Sequence, residues 1–95
     1  MDIHFEWDRN KADSNLRKHG ISFIEATEVF NDPLAIKLRD DEHSEHEDRW
    51  VTIGQVRNLR IVVTVHTWQE DDENIYVRII SARKATVHEI KNYEG

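Results

Sequence analysis

The apolar positions of this chain follow two periods, and the change between them falls near Pro33. Before it, "IHFEW" alternates, with Ile3, Phe5 and Trp7 on one side, which predicts a first strand. Asp8 then offers an N-cap for a helix over residues 9–19, where Ala12 and Leu16 make a sparse apolar stripe and Gly20 supplies the stop. Ser22 and Glu25 form an S-x-x-E capping box, and Ile21 is placed to staple onto Ala26. Phe23, Ala26, Val29 and Phe30 keep helical spacing until "NDP" ends the run.

From Leu34 onward the period is two. "LAIKLR", "RWVTIGQV", "LRIVVTVHTW" and "NIYVRIISAR" predict four strands, joined by an acidic run, by "RN" and by "QEDDE". Such short connections make them neighbours in an antiparallel meander. A second capping box, Thr86 to Glu89, opens a short helix reaching about Tyr93. The expected fold is α+β, an antiparallel sheet of about four to five strands with two N-terminal helices and a short C-terminal helix on one face. With no repeat, low-complexity tract or linker, residues 1–95 read as one domain.

Composition narrows the function more than the fold. The chain has no cysteine, which excludes disulfides, thiolate zinc sites and cysteine nucleophiles and fits a reducing compartment. "MDIHFEWDRN" lacks the basic flank and apolar run of a signal peptide, and nothing approaches the roughly 20 apolar residues of a membrane span. A soluble, cytoplasmic protein without a membrane partner is expected. G-x-S-x-G, P-loop and dinucleotide fingerprints are all missing, so hydrolase, NTPase and Rossmann readings lose their usual support.

The formal net charge of -6 is unevenly spread. Residues 40–48 ("DDEHSEHED") hold six acidic side chains and residues 70–73 ("EDDE") hold four, with no Lys or Arg in either run. Setting those runs aside leaves 9 acidic against 13 basic residues. A local anion site is compatible with that distribution.

The strongest candidate lies in "VRIISARKAT". Arg83 and Lys84 sit where the last long strand gives way to a helix, a junction that favours phosphate; the bland reading pairs Arg83 with a nearby carboxylate. Strict alternation sends Arg78 and Arg83 to opposite faces unless the strand bends or bulges. On the first helix, Lys11, Lys18 and His19 follow helical steps; His19 titrates near neutrality, but cations at a helix C-terminus also simply complement the macrodipole. Arg49 leaves the acidic run, so an ion pair rivals any catalytic role there. Trp50 either stacks on a base or packs in the core. His43 and His46 among carboxylates suggest a metal loop, though the spacing is generic. His66 and Trp68 share a strand face, where a hydrogen-bonded histidine is the default.

Taken in order, "FEWDRNKADSNLRKHGISFIEATEVFNDP", "EDRWVTIG" and "RIISARKAT" resemble the BrnT family of bacterial type II toxins, over nearly the whole chain. The resemblance implies a compact fold similar to RelE-type ribonuclease toxins. It also implies metal-independent RNA cleavage that inhibits translation and growth, with no cofactor. The implied partner is a BrnA-like ribbon-helix-helix antitoxin encoded alongside, forming a hetero-oligomer that alone contacts DNA. Carried over by motif, the site residues are Lys18 and His19 from "KHG", Arg49 and Trp50 from "DRW", and Arg78, Arg83 and Lys84 from "RIISARK". The chain departs from the family after its fourth strand, where "HTWQEDDEN" stands in place of an arginine-bearing segment. The implied chemistry is transesterification, with Lys18, His19, Arg49, Arg78 and Arg83 catalytic and Lys11, Trp50 and Lys84 holding RNA. It requires Lys18, Arg49 and Arg83 to converge on one pocket. The rival is a non-catalytic module that binds RNA or antitoxin and serves operon autoregulation.

Overall fold

The computed structural model describes residues 2–44 and 47–95. In chain order the elements are β1 (Asp2–Glu6), α1 (Arg9–His19), α2 (Phe23–Ala26), β2 (Ile36–Arg39), β3 (Arg49–Gln55), β4 (Ile61–Thr67), β5 (Gln69–Glu70), β6 (Asn74–Lys84) and α3 (Val87–Glu94). The helix ends follow the local chemistry. Asp8 accepts a hydrogen bond from the Lys11 amide, and Gly20 closes α1 at φ +68°, a left-handed conformation that glycine adopts without cost. Ser22 caps α2 by accepting from the Glu25 amide. The Thr86 box on α3 is reciprocal.

α2 is shorter than its apolar spacing predicts. It has four residues and continues as a 3₁₀ turn, Thr27–Asn31. Thr27 donates its hydroxyl to the Ile24 carbonyl at 2.7 Å, offering the backbone a tighter local turn than the α-helical one. Glu25 does not complete its capping box, because its carboxylate is taken by Arg60.

The expected meander is present: β2, β3, β4 and β6 are consecutive antiparallel neighbours. The sheet order is β1-β6-β4-β3-β2, with β5 also beside β6. Two corrections apply. The sheet is mixed rather than wholly antiparallel, because β1 pairs parallel to β6, Phe5 opposite Val77. Strand direction at a sheet edge depends on the path of everything between the two strands, which local alternation does not record. Nor does α3 join α1 and α2 on one face. It lies against β3 at the end of the sheet, tied down by Arg83 to Glu89 and by Tyr93, whose hydroxyl donates to Asp32.

α1 and α2 cover one face. Ile21, Ala26, Val29, Val56, Val62 and Ala82 form one buried cluster there, Phe23, Val77 and Ile79 another, and Phe30 packs against both. Gly54 is required on this face: a Cβ at that position meets the Cβ of Val29 at 3.0 Å and its backbone at 3.1 Å. Asn15 anchors α1 at the edge of β6, beyond the point where β1 stops pairing. Its amide donates to the Ala82 and Ile21 carbonyls and accepts from the Ala82 N–H, so a side chain satisfies backbone groups that a strand would otherwise pair.

Candidate functional site

The decisive local feature is a bulge in β6. Val65 pairs with Ser81 but His66 pairs with Ile79, leaving Ile80 as the extra residue. Alternation therefore resets. Val77 and Ile79 before the bulge and Ala82 after it are all buried on the helix-covered face. Arg78 and Arg83, expected on opposite faces of an unbroken strand, come to the same open face. Arg49 joins them, because it pairs with Thr67, whose hydroxyl accepts the Arg78 amide at 3.0 Å.

At one end of this face Arg78 donates to the Glu47 carboxylate, and the Arg49 Nε lies 3.9 Å from the same oxygen. That Nε is buried and, among the described residues, has no hydrogen-bond partner. The adjoining cleft is lined by Glu6, Glu47, Thr67, Gln69, Tyr76 and Arg78, and Tyr76 stacks on His4 with centroids 5.3 Å apart. Farther along, Arg83 grips both oxygens of Glu89 at 2.7 and 2.9 Å. That bidentate bond, assisted by the Thr86 amide and opposed by burial, holds the Glu89 pKa at about 2. Lys84 is exposed and lines a different cleft, with Ile61, Ile90 and Tyr93 beneath α3.

The expected convergence on one pocket is not met. Arg49 and Arg78 come together around Glu47, whereas Arg83 stands apart on α3's carboxylate. Lys11, Lys18 and His19 are exposed along α1. Among the described residues, no hydrogen bond or ion pair joins Lys18 or His19 to the arginines. The inward residues of α1 are Ala12 and Asn15, leaving its last turn to solvent.

Trp50, the chain neighbour of Arg49, faces the opposite way because it pairs with buried His66. It is half-buried, and the Lys37 ammonium lies over its ring at 5.0 Å and over Trp68 at 3.6 Å. Partial burial lowers the Lys37 pKa, with Glu70 acting the other way. His66 is fully enclosed. Its Nδ1 lies 2.8 Å from the Thr67 carbonyl, an obligate acceptor, so Nδ1 carries the proton and Nε2 accepts from the Thr52 hydroxyl at 2.7 Å. Burial pushes its pKa down to about 4, and the ring is neutral and sealed from substrate.

Among the described residues no three His, Cys, Asp or Glu side chains are grouped to hold a metal. His43 bonds Asp40 at 2.9 Å, and His46, the other half of the suggested metal loop, lies outside the described residues. No described helix is long and apolar enough to cross a membrane. Sequence reasoning passed over Glu47 as a partner for two arginines, and with it Thr67, Tyr76 and Lys37. Glu47 was accessible, since it stands two positions before Arg49 and extended chain puts such residues on one side. The link from Thr67 to Arg78 was not, since it depends on the register beyond the bulge.

Residues 7–89 match the family described as the ribonuclease toxin, BrnT, of type II toxin-antitoxin systems. The crystal structure of the Brucella abortus ribonuclease toxin BrnT is similar at a TM-score of 0.63 and 26% sequence identity, over 90% of this chain and 97% of that one. No curated protein matches. With the family match spanning most of the chain and the overall fold similar to that structure, the chain belongs to the BrnT family of ribonuclease toxins of type II toxin-antitoxin systems.

Proposed function

We propose that this chain, acting as one toxin domain, cleaves RNA by metal-independent transesterification, inhibits translation and growth, and is neutralised by a BrnA-like ribbon-helix-helix antitoxin. The observation that supports it best is the bulge at Ile80, which brings Arg78 and Arg83 to the face that carries Arg49. In this reaction the RNA 2′-OH gives up its proton and bonds to the adjacent phosphorus. The P–O5′ bond breaks, the leaving oxygen takes up a proton, and a 2′,3′-cyclic phosphate remains. Negative charge builds on the non-bridging oxygens, where preorganised guanidinium groups are most effective.

Arg49 and Arg78 are the proposed phosphate ligands, with Arg83 engaging the strand farther along. Their existing carboxylate contacts do not forbid this, because partly exposed ion pairs contribute only about 0–1 kcal/mol each and exchange readily. Lys18 and His19 are the proposed acid and base on the strength of their motif, with Glu47 as the competing base on the strength of its contacts. Lys11, Trp50 and Lys84 are proposed to hold flanking RNA. As a type II toxin the protein has an antitoxin partner; DNA contact is assigned to that partner within a hetero-oligomer.

One observation favours a non-catalytic module instead: Arg78 and Arg83 each already hold a carboxylate of the same chain. Incubating antitoxin-free protein with RNA in EDTA separates the readings. Cleavage that falls on the order of 100-fold in Arg83→Ala supports the enzyme. Absence of cleavage by folded protein at every concentration supports the module, and cleavage only with added metal overturns the mechanism. Parallel loss in His19→Ala or in Glu47→Gln identifies the base.

A further inference from the structure

The cleft beside Arg78 holds more acceptors than its cation uses. Glu6 on β1 stands opposite Arg78 on β6, yet the Arg78 guanidinium goes to Glu47. Gln69 lies on β5, on the other side of β6 from β1, and lines the same cleft. Among the described residues, the exposed side chains of Glu6 and Gln69 make no hydrogen bond or ion pair. Two carboxylates against one guanidinium make the lining a poor seat for a further anion. It suits a neutral group rich in N–H donors, because an ionised carboxylate only accepts.

Tyr76 adds a stacking surface. It is 43% exposed and stacks on His4 at an interplanar angle of 19°, and His4 is in turn held by Asn74 at 2.8 Å. One face of the phenol ring is therefore taken and its orientation fixed, while the other face has no aromatic or cationic partner among the described residues. An oriented, exposed aromatic face is a platform for a nucleobase. The cleft measures about 210 Å³, below the roughly 300–1,000 Å³ that receives a drug-sized ligand, so it takes one ring system and leaves sugar and phosphate outside.

The acceptors choose among the bases. Guanine presents two adjacent donors, N1–H and N2–H, to match the two oxygens of one carboxylate. Adenine and cytosine set a ring acceptor beside their amino group, and uracil has a single N–H between two carbonyls, so each turns a lone pair on the carboxylate.

We propose that this cleft is a guanine subsite, in which the base stacks on Tyr76, Glu6 accepts from N1–H and N2–H, and Gln69 donates its amide to O6. It rests on the ribonuclease reading and gives that reading a sequence preference, guanine beside the phosphate held by Arg49 and Arg78. Neighbouring strands lie about 4.8 Å apart, so one nucleotide can reach both Glu6 and Arg78.

The probes are single-stranded uridine oligomers carrying guanine, inosine, adenine or cytosine at one central position, with 2′-fluoro sugars that remove the attacking hydroxyl. Fluorescence anisotropy with the wild-type chain should show guanine bound at least about tenfold tighter than inosine, which lacks the N2 donor, and than the other bases. In Glu6→Gln that preference should disappear, while affinity for the other bases holds or rises. Glu73→Gln removes the same charge from an exposed position outside the cleft and should keep the preference. Equal affinity for every oligomer in the wild-type chain overturns the proposal, as does a guanine preference that survives Glu6→Gln or that Glu73→Gln also abolishes. The same oligomers with ribose sugars report cleavage in EDTA separately. Cleavage without base preference removes the guanine subsite and leaves the ribonuclease reading, whereas guanine-selective binding without cleavage by folded protein removes the ribonuclease reading and leaves the subsite.

Discussion

Arg49 and Trp50 are adjacent in the chain, and they serve two different surfaces. On the helix-covered face, Trp68, His66 and Phe30 pack on one another, Lys37 lies over the indoles of Trp50 and Trp68, and the buried polar groups Thr52, Thr64 and His66 all have partners. On the open face, at the same end of the sheet, Arg49 and Arg78 compete for Glu47, and one buried donor has no acceptor among the described residues. Strands that alternate so strictly have built one surface with its polar contacts complete and another with contacts to spare. A surface of the first kind stabilises the fold, and a surface of the second kind is free to take a ligand.

That contrast breaks most visibly in activity. Arg78→Ala is expected to reduce RNA cleavage on the order of 100-fold, whereas Lys37→Ala, across the sheet, should leave the rate near wild type and lower stability by about 1 kcal/mol through its lost indole contacts. Cleavage kinetics and urea denaturation of both variants check this. Equal rate losses would show that the covered face also takes part.

Acid should expose the sealed histidine. The folded chain holds the His66 pKa at about 4, well below the ordinary 6.5, so the unfolded chain binds the proton more readily. Its contribution to stability is fully present above about pH 6.5 and is lost as pH falls toward about 4, by roughly 3 kcal/mol in all. Denaturation midpoints across that window should slope less in His66→Gln than in wild type. Equal slopes would mean that the ring is not protected.

Packing sharpens the contrast further. Gly54→Ala should cost about 1–3 kcal/mol, because the added methyl is driven into Val29 on the covered face. Leu38→Ala on the open face should change stability by no more than about 0.5 kcal/mol. Thermal melts of the two variants suffice, and a comparable loss in Leu38→Ala would mean that Leu38 is already covered within the chain.

Much of the architecture was legible because its signals are short-ranged. Asp8, Gly20 and the box at Thr86 bond to backbone within a few residues, and the four-strand meander follows from tight connections between alternating runs. The Ser22 box was only half legible: Arg60, distant in sequence, claims the Glu25 carboxylate that the local pattern had assigned to the cap. The direction of β1 and the position of α3 escaped for the same reason. Within the site, Arg49, Arg78 and Arg83 were identifiable as a set, but their common face was not. "IISAR" contains no glycine to mark a bulge, and the bulge is defined only by what β4 presents opposite it.

By itself the sequence determined the residue types and the local geometry: segregated acids, three arginines spaced along two strands, capped helices and strands of known period. These depend on interactions over a few residues, which any chain of this composition makes wherever it folds. The tertiary structure alone decided which side chains look the same way, since a single extra residue in β6 inverts the facing of everything after it. It also decided which cations meet a carboxylate, because Glu47 reaches Arg78 across 31 positions that only the folded sheet brings together.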